Sequence, residues 1–250
     1  MGFFTYEGAE FCEEDGIVVK MHSLSVGLDI EVPKIFPQGF TLINIPSFFA
    51  SGSYGKISFD ADIRSAEPYA FGGCFAREVV WPEDCLEIPS HCFDNCRISK
   101  ISNIEKVEKI GASAFNSSNL EEIVWPGGCD TIPDACFYNS SIKRIYNAEH
   151  VTAIGHSAFS CSSIESFHWP SGCNEIPKCC FAGSQLKSIT NIDHVASIGR
   201  VAFADCRELC HLDLSALICN IECNAFKGVD SQNITLPYYE SRNLSVESLL

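Results

Sequence analysis

The chain has 250 residues, 46% of them hydrophobic and 20% charged, a balance that excludes a disordered or collagen-like polymer and leaves ample apolar surface to bury. Its formal charge of -15, from 32 acidic against 17 basic residues, opposes binding to nucleic-acid phosphates or to an anionic membrane surface, because Lys and Arg drive both. No run of about 18 apolar residues occurs, so no membrane insertion is expected.

The N-terminal stretch MGFFTYEGAEFCEEDGIVVKMHS has neither the basic start nor the apolar core of a secretory signal. Myristoylation of Gly2 wants Ser or Thr where Tyr6 stands. Residues 1–40 carry no repeat and are acidic early, at Glu7, Glu10, Glu13, Glu14 and Asp15. An N-terminal cap is predicted there, since the first unit of a stack would otherwise expose its apolar face and sheet edge.

From residue 41 to residue 237 the chain repeats. Phe93, Phe115, Phe137, Phe159, Phe181 and Phe203 are 22 residues apart, Phe226 follows after 23, and the same step backwards reaches Phe71 and Phe49. Nine markers predict nine coils. Ile88, Ile110, Ile132, Ile154, Ile176, Ile198 and Ile221 precede their markers by five, so each coil points equivalent residues into one core. After the marker comes Leu-x-x-Ile-x-Trp, as in Leu120 to Trp125, the strand half of a leucine-rich repeat. Before it, Ile110-Gly-Ala-Ser-Ala-Phe115 suits a single helical or 3₁₀ turn. The fold expected is a β-rich solenoid: a right-handed coil with a parallel β-sheet on its concave face and short 3₁₀ or helical turns on its convex face.

A longer period of 44 residues overlies the first. Trp81, Trp125 and Trp169 share one column with Asn103, Asn147 and Asn191 of the intervening coils, and Pro89, Pro133 and Pro177 alternate with Gly. Trp is expected to fill the wide coils and Asn to hydrogen-bond the turn after the strand. Residues 238–250 have no marker and are expected to form either a short closing helix or a loose tail.

The fifteen cysteines lie in columns rather than in a disulfide framework. Cys85, Cys129 and Cys173 share one position and Cys92, Cys136 and Cys180 another, two coils apart, roughly 10 Å at the strand spacing and too far to bridge. Mostly free thiols, and with them a reducing compartment and a cytoplasmic location, are expected. Cys206, Cys210, His211, Cys219 and Cys223 have zinc-ligand chemistry, yet Cys206 occupies the same repeat position as Cys74 and Cys96, so no metal or other cofactor is expected. The histidines are scattered over unlike repeat positions, and no phosphate loop, nucleophile elbow or zinc-protease motif occurs. No enzymatic activity is expected. Sequons at Asn116, Asn139, Asn233 and Asn243 bear on function only in a secretory route.

The stretches IGASAFNSSNLEEIVWP and IGHSAFSCSSIESFHWP resemble the BspA-like, type 5, leucine-rich repeats. That resemblance implies surface or secreted adhesion proteins, or repeat proteins of unassigned role, and brings no catalytic residues with it. A cell-surface adhesin binding host or matrix protein is therefore the alternative to an intracellular binding module or scaffold.

The outward positions of the strands follow from the register. Seven residues after each marker, Glu78, Lys100, Glu122 and Arg144 alternate in sign and are expected to pair between coils. Nine after it, Val80, Val124, Tyr146 and His168 place apolar and aromatic groups where the coil needs none. Rigidly presented aromatic groups serve as binding anchors, so the partner-binding site is expected at Val80, Val124, Tyr146 and His168 with Arg144 at its rim. The partner expected there is a protein, and a small-molecule substrate is not.

Overall fold

The computed structural model describes residues 1–215 and 220–235. Cys219 and the expected C-terminal cap or tail at 238–250 lie outside the described residues.

The chain opens with an antiparallel meander, Gly2–Tyr6, Ala9–Glu14 and Ile17–Ser23. Its connections are the pairs Glu7-Gly8 and Asp15-Gly16, all four residues at positive φ, as a two-residue hairpin turn matched to strand twist requires. The third strand joins Ala50–Ser51 in parallel, and its Val18 and Met21 N–H groups donate to the Thr41 and Phe49 carbonyls at 2.8 and 2.7 Å. The meander thus satisfies backbone acceptors of the first coil. Phe4, Phe11, Phe36 and Phe40 pack together beneath it, with Phe11 4.8 Å from Phe36.

Beyond it the strand segments stack in parallel. Leu28–Val32, Ser53–Phe59, Phe75–Val80 and Arg97–Ser102 form one sheet, beginning ahead of the Phe register. Glu122–Val124 then pairs with Arg144–Tyr146, Ser166–His168 with Ser188–Thr190, and Leu212–Asp213 with Ile234–Thr235. The Ile column forms a second parallel ladder of two-residue strands, such as Glu87–Ile88 on Lys109–Ile110 and Thr131–Ile132 on Ala153–Ile154.

The core is the one that the spacing implies. The rings from Phe71 to Phe226 are buried and stack face to face, 5.2 to 5.8 Å apart and within 12° of parallel. Trp81, Trp125 and Trp169 are fully buried, each indole N–H donating to the carbonyl four residues on at 2.8 to 2.9 Å. Asn103, Asn147 and Asn191 donate from Nδ2 to the Trp carbonyl of the preceding coil at 2.7 to 2.9 Å, the bond expected of that column.

The turn before each Phe is not helical, a correction to the expected 3₁₀ or helical turns; the sole helix among the described residues is Ser231–Asn233. Residues two before and two after the marker take positive φ, for example His91 and Asn95, Ser113 and Ser117, Ala135 and Asn139. This alternation turns every second N–H along the solenoid axis. The Phe93, Phe115, Phe137, Phe159 and Phe181 N–H groups accordingly donate to carbonyls of the next coil at 2.8 to 3.0 Å. A helical turn would spend those donors within its own coil, whereas this geometry makes a third inter-coil ladder.

The longer period has a steric cause. A Cβ on Gly111, Gly155 or Gly199 would lie 2.3, 2.3 or 2.6 Å from the backbone N of Ser90, Asp134 or Lys178, just after the Pro of the preceding coil. Each Pro coil therefore needs a Gly coil next to it. Both strand ladders break between Arg97–Ser102 and Glu122–Val124, and again between Arg144–Tyr146 and Ser166–His168, while the turn ladder runs on through. The molecule over this stretch is a stack of paired coils with seams on its strand side.

Candidate functional site

The nine-column runs along the strand face as Val80, Ser102, Val124, Tyr146, His168 and Thr190. Val80 is half-buried, whereas Val124 is 57% and Tyr146 45% exposed. These two are direct partners in the register of one paired coil. Tyr146 donates its hydroxyl to Glu122 Oε2 at 3.4 Å, and Arg144 Nη1 donates to Glu122 Oε1 at 2.7 Å. The fold thus brings Val124, Arg144 and Tyr146 together. It leaves Val80 in the preceding sheet, and places His168 in the following one, with Nδ1 3.0 Å from Thr190 Oγ1.

The charged columns pair as expected, and the pairing follows the 44-residue unit. Glu78 meets Lys100 at 2.8 Å, Glu121 meets Lys143 at 2.9 Å, Glu122 meets Arg144 at 2.7 Å and Glu165 meets Lys187 at 3.0 Å, each acid on a Trp coil and each base on the Asn coil after it. Lys100, aided by the Ser102 hydroxyl, holds the Glu78 carboxyl below the usual carboxylate range. These charges neutralise one another within paired coils, so the strand face is less acidic than the chain as a whole.

Sequence reasoning missed the groove at the first seam. With no ladder joining Arg97–Ser102 to Glu122–Val124, a cavity of about 970 Å³ opens, walled by Ser99, Lys100 and Ser102 on one side and Glu121, Glu122 and Val124 on the other. Tyr146 and Asn147 stand at its edge, and Trp125 and Gly127 lie at its end. Exposed apolar and aromatic side chains, paired charges and a groove thus lie together on the strand face.

The cysteines are mostly core residues. Of fourteen described, all free, ten are buried, and Cys161, Cys210 and Cys223 are exposed. Cys74 and Cys96 stack in adjacent coils, but parallel stacking holds Cβ atoms about 4.8 Å apart, longer than the ~3.5–4.5 Å of a disulfide. Cys206 is buried with its thiol donating to the Phe181 carbonyl at 2.9 Å, so it is turned away from exposed Cys210 and Cys223. Among the described residues no group of three or more His, Cys, Asp or Glu side chains is placed to hold a metal ion. No described helix is long and apolar enough to cross a membrane.

The chain matches the family model described as BspA type leucine rich repeat region, in six copies over residues 41–162 and 130–245. No curated protein matches it. Similar solved structures include a leucine-rich repeat protein from Bacteroides ovatus, at 15% identity and a TM-score of 0.43, covering 90% of this chain and 92% of that one. A leucine rich cell surface protein from Faecalibacterium prausnitzii is similar at 16% identity, a TM-score of 0.33 and coverages of 91% and 86%. The pneumococcal vaccine antigen PcpA is similar at 14%, 0.38, 91% and 79%.

Proposed function

Because this chain belongs to the BspA-type leucine-rich-repeat family, we propose that it is a non-enzymatic protein-interaction module that takes its partner on the strand face, at the groove beside Val124 and Tyr146. The observation that carries this reading is the in-register pair of exposed Val124 and Tyr146 next to that groove. Nothing in the coil requires them, since Ser102 and Thr190 fill the same column elsewhere. Arg144 forms the rim, and Val80 and His168 extend the contact along the axis. The partner is a protein; the charge of -15 argues against nucleic acid.

A second reading concerns where the partner is met. The family favours a cell-surface adhesin bound to host or matrix protein over the cytoplasmic setting that the cysteines alone suggest. Free thiols do not decide the compartment here, because burial and coil spacing keep them apart in either one. Labelling intact against permeabilised cells with an impermeant antibody separates the two settings.

The double variant Val124→Ser with Tyr146→Thr installs residues that the column carries elsewhere, so folding and Tm are expected to stay unchanged. Loss of an aromatic anchor of about 2 kcal/mol would weaken partner capture roughly 30-fold. Undiminished capture by the folded variant would move the site off the strand face.

A further inference from the structure

A second cleft lies near the N-terminal end, outside the groove beside Tyr146. Its walls are Phe48 and Phe75, 52% and 44% exposed. Neither is needed by its coil: Phe75 stands in a column that continues as Arg97, Asn119, Ser141, Ser163 and Gln185. The Phe48 ring stacks on Tyr69 at 5.5 Å, and Tyr69 stacks on His91 at 4.6 Å, where the following coils place Ser113, Ala135 and Ser157. Phe48 and Tyr69 hold φ of 52° and 63°, the same left-handed turn geometry that the following coils place at His91, Ser113 and Ala135.

Between the two walls lie Gly52, Gly72 and Gly73 with the small side chains of Ala50, Ser51 and Ser53, around a cleft of about 590 Å³. A Cβ on Gly72 would come 2.8 Å from Phe48 Cε1, so the glycine is what admits the ring. The charge is reversed relative to the chain. Lys20 lines the cleft and the Arg97 guanidinium lies 5.1 Å from the Phe75 ring centroid. Neither cation has an ion-pair partner among the described residues, and no carboxylate lines the cleft, in a chain where acids outnumber bases 32 to 17.

We propose that this cleft binds an acidic, aromatic-bearing peptide segment of a partner protein, its ring between Phe48 and Phe75 and its carboxylates toward Lys20 and Arg97. The apolar surface continues along Tyr69 and His91 as a strip, which suits a peptide better than a compact ligand. Opposite charge on segment and cleft supplies the selectivity, since a basic segment would bring like charges together.

The probes are 8-anilinonaphthalene-1-sulfonate, an aromatic anion that fluoresces when bound, and the blocked peptides Gly-Asp-Phe-Glu-Gly and Gly-Lys-Phe-Lys-Gly, with the full chain as the receptor. The acidic peptide is expected to displace the dye and the basic one not to. Phe48→Ser with Phe75→Ser, serine being what the Phe75 column carries at Ser141 and Ser163, is expected to weaken dye binding at least about tenfold at unchanged Tm. Lys20→Gln with Arg97→Gln is expected to remove the salt dependence of binding. Phe75→Ser with Lys20→Gln gives the same reading if the Phe48 variant does not fold. Dye binding untouched by these variants, or equal displacement by both peptides, would overturn the proposal. So would a dimer that the same variants dissociate, which would make the occupant a second copy. Val124→Ser with Tyr146→Thr leaves dye binding unchanged, so failure here and failure at the strand-face groove are read separately.

Discussion

Replacing Phe137 by alanine is expected to cost about 3–5 kcal/mol of stability, a large part of the ~5–15 kcal/mol that a folded chain has. The ring is fully buried and stacks between Phe115 at 5.4 Å and Phe159 at 5.8 Å, with Trp125 at 6.0 Å. Hydrogen bonds between backbones hold the coils at fixed spacing, so neighbours cannot collapse into the void, and the cost falls at the upper end for such a substitution. The adjacent Tyr138 is exposed, and Tyr138→Ala should stay within about 0.5 kcal/mol. Urea unfolding of both variants checks this. A loss below about 1 kcal/mol for Phe137→Ala would mean that the stack relaxes and does not carry the core.

Raising the pH above about 8.5 is expected to destabilise the chain steeply. Burial pushes the Cys74 thiol up to about 12 and those of Cys85, Cys129, Cys173 and Cys206 up to about 11. The Cys92, Cys96, Cys136 and Cys180 thiols are raised by the same cause. An unfolded thiol ionises near 8.5, so as pH rises the unfolded state loses protons first and stability falls. The stabilisation is complete below about 8.5 and is lost as pH climbs toward the folded-state values near 11 and 12. Each such thiol contributes a slope of up to about 1.4 kcal/mol per pH unit, and several act together. With reductant present, the urea midpoint should hold from pH 6 to 8 and drop sharply by pH 10. Replacing Cys92, Cys136 and Cys180 by alanine, which Ala114, Ala158 and Ala202 show the position accepts, should flatten that drop. A midpoint constant through pH 10 would contradict the burial of these thiols.

The Phe spacing, the Ile column, the Trp fillers and the Asn amides were legible because each repeats a side chain whose role is packing or hydrogen bonding. The pairing of Glu78 with Lys100 and of Glu122 with Arg144 followed from the same register. The backbone was harder to read. Two-residue strands such as Glu87–Ile88 are too short to show alternation. Positive φ falls on Ala135, Cys179 and Val201, residues that carry no turn signal, so the turn before each Phe read as helical. Asp15-Gly16 carries a hairpin signal, but it lies outside the 22-residue register. Val124 and Tyr146 were legible as exposed members of a column, while the groove beside them depends on where the ladders part, which no local pattern records. Phe48 and Phe75 stood out only once their exposure was known.

Hydrogen exchange of the chain with and without its captured partner tests the strand-face reading most directly. Backbone protection is expected to rise at Glu122–Val124 and Arg144–Tyr146 on binding, with residues 111–117 and 133–139 on the turn side unchanged. Protection confined to those turns, with the two strands exchanging as in the free chain, would contradict it.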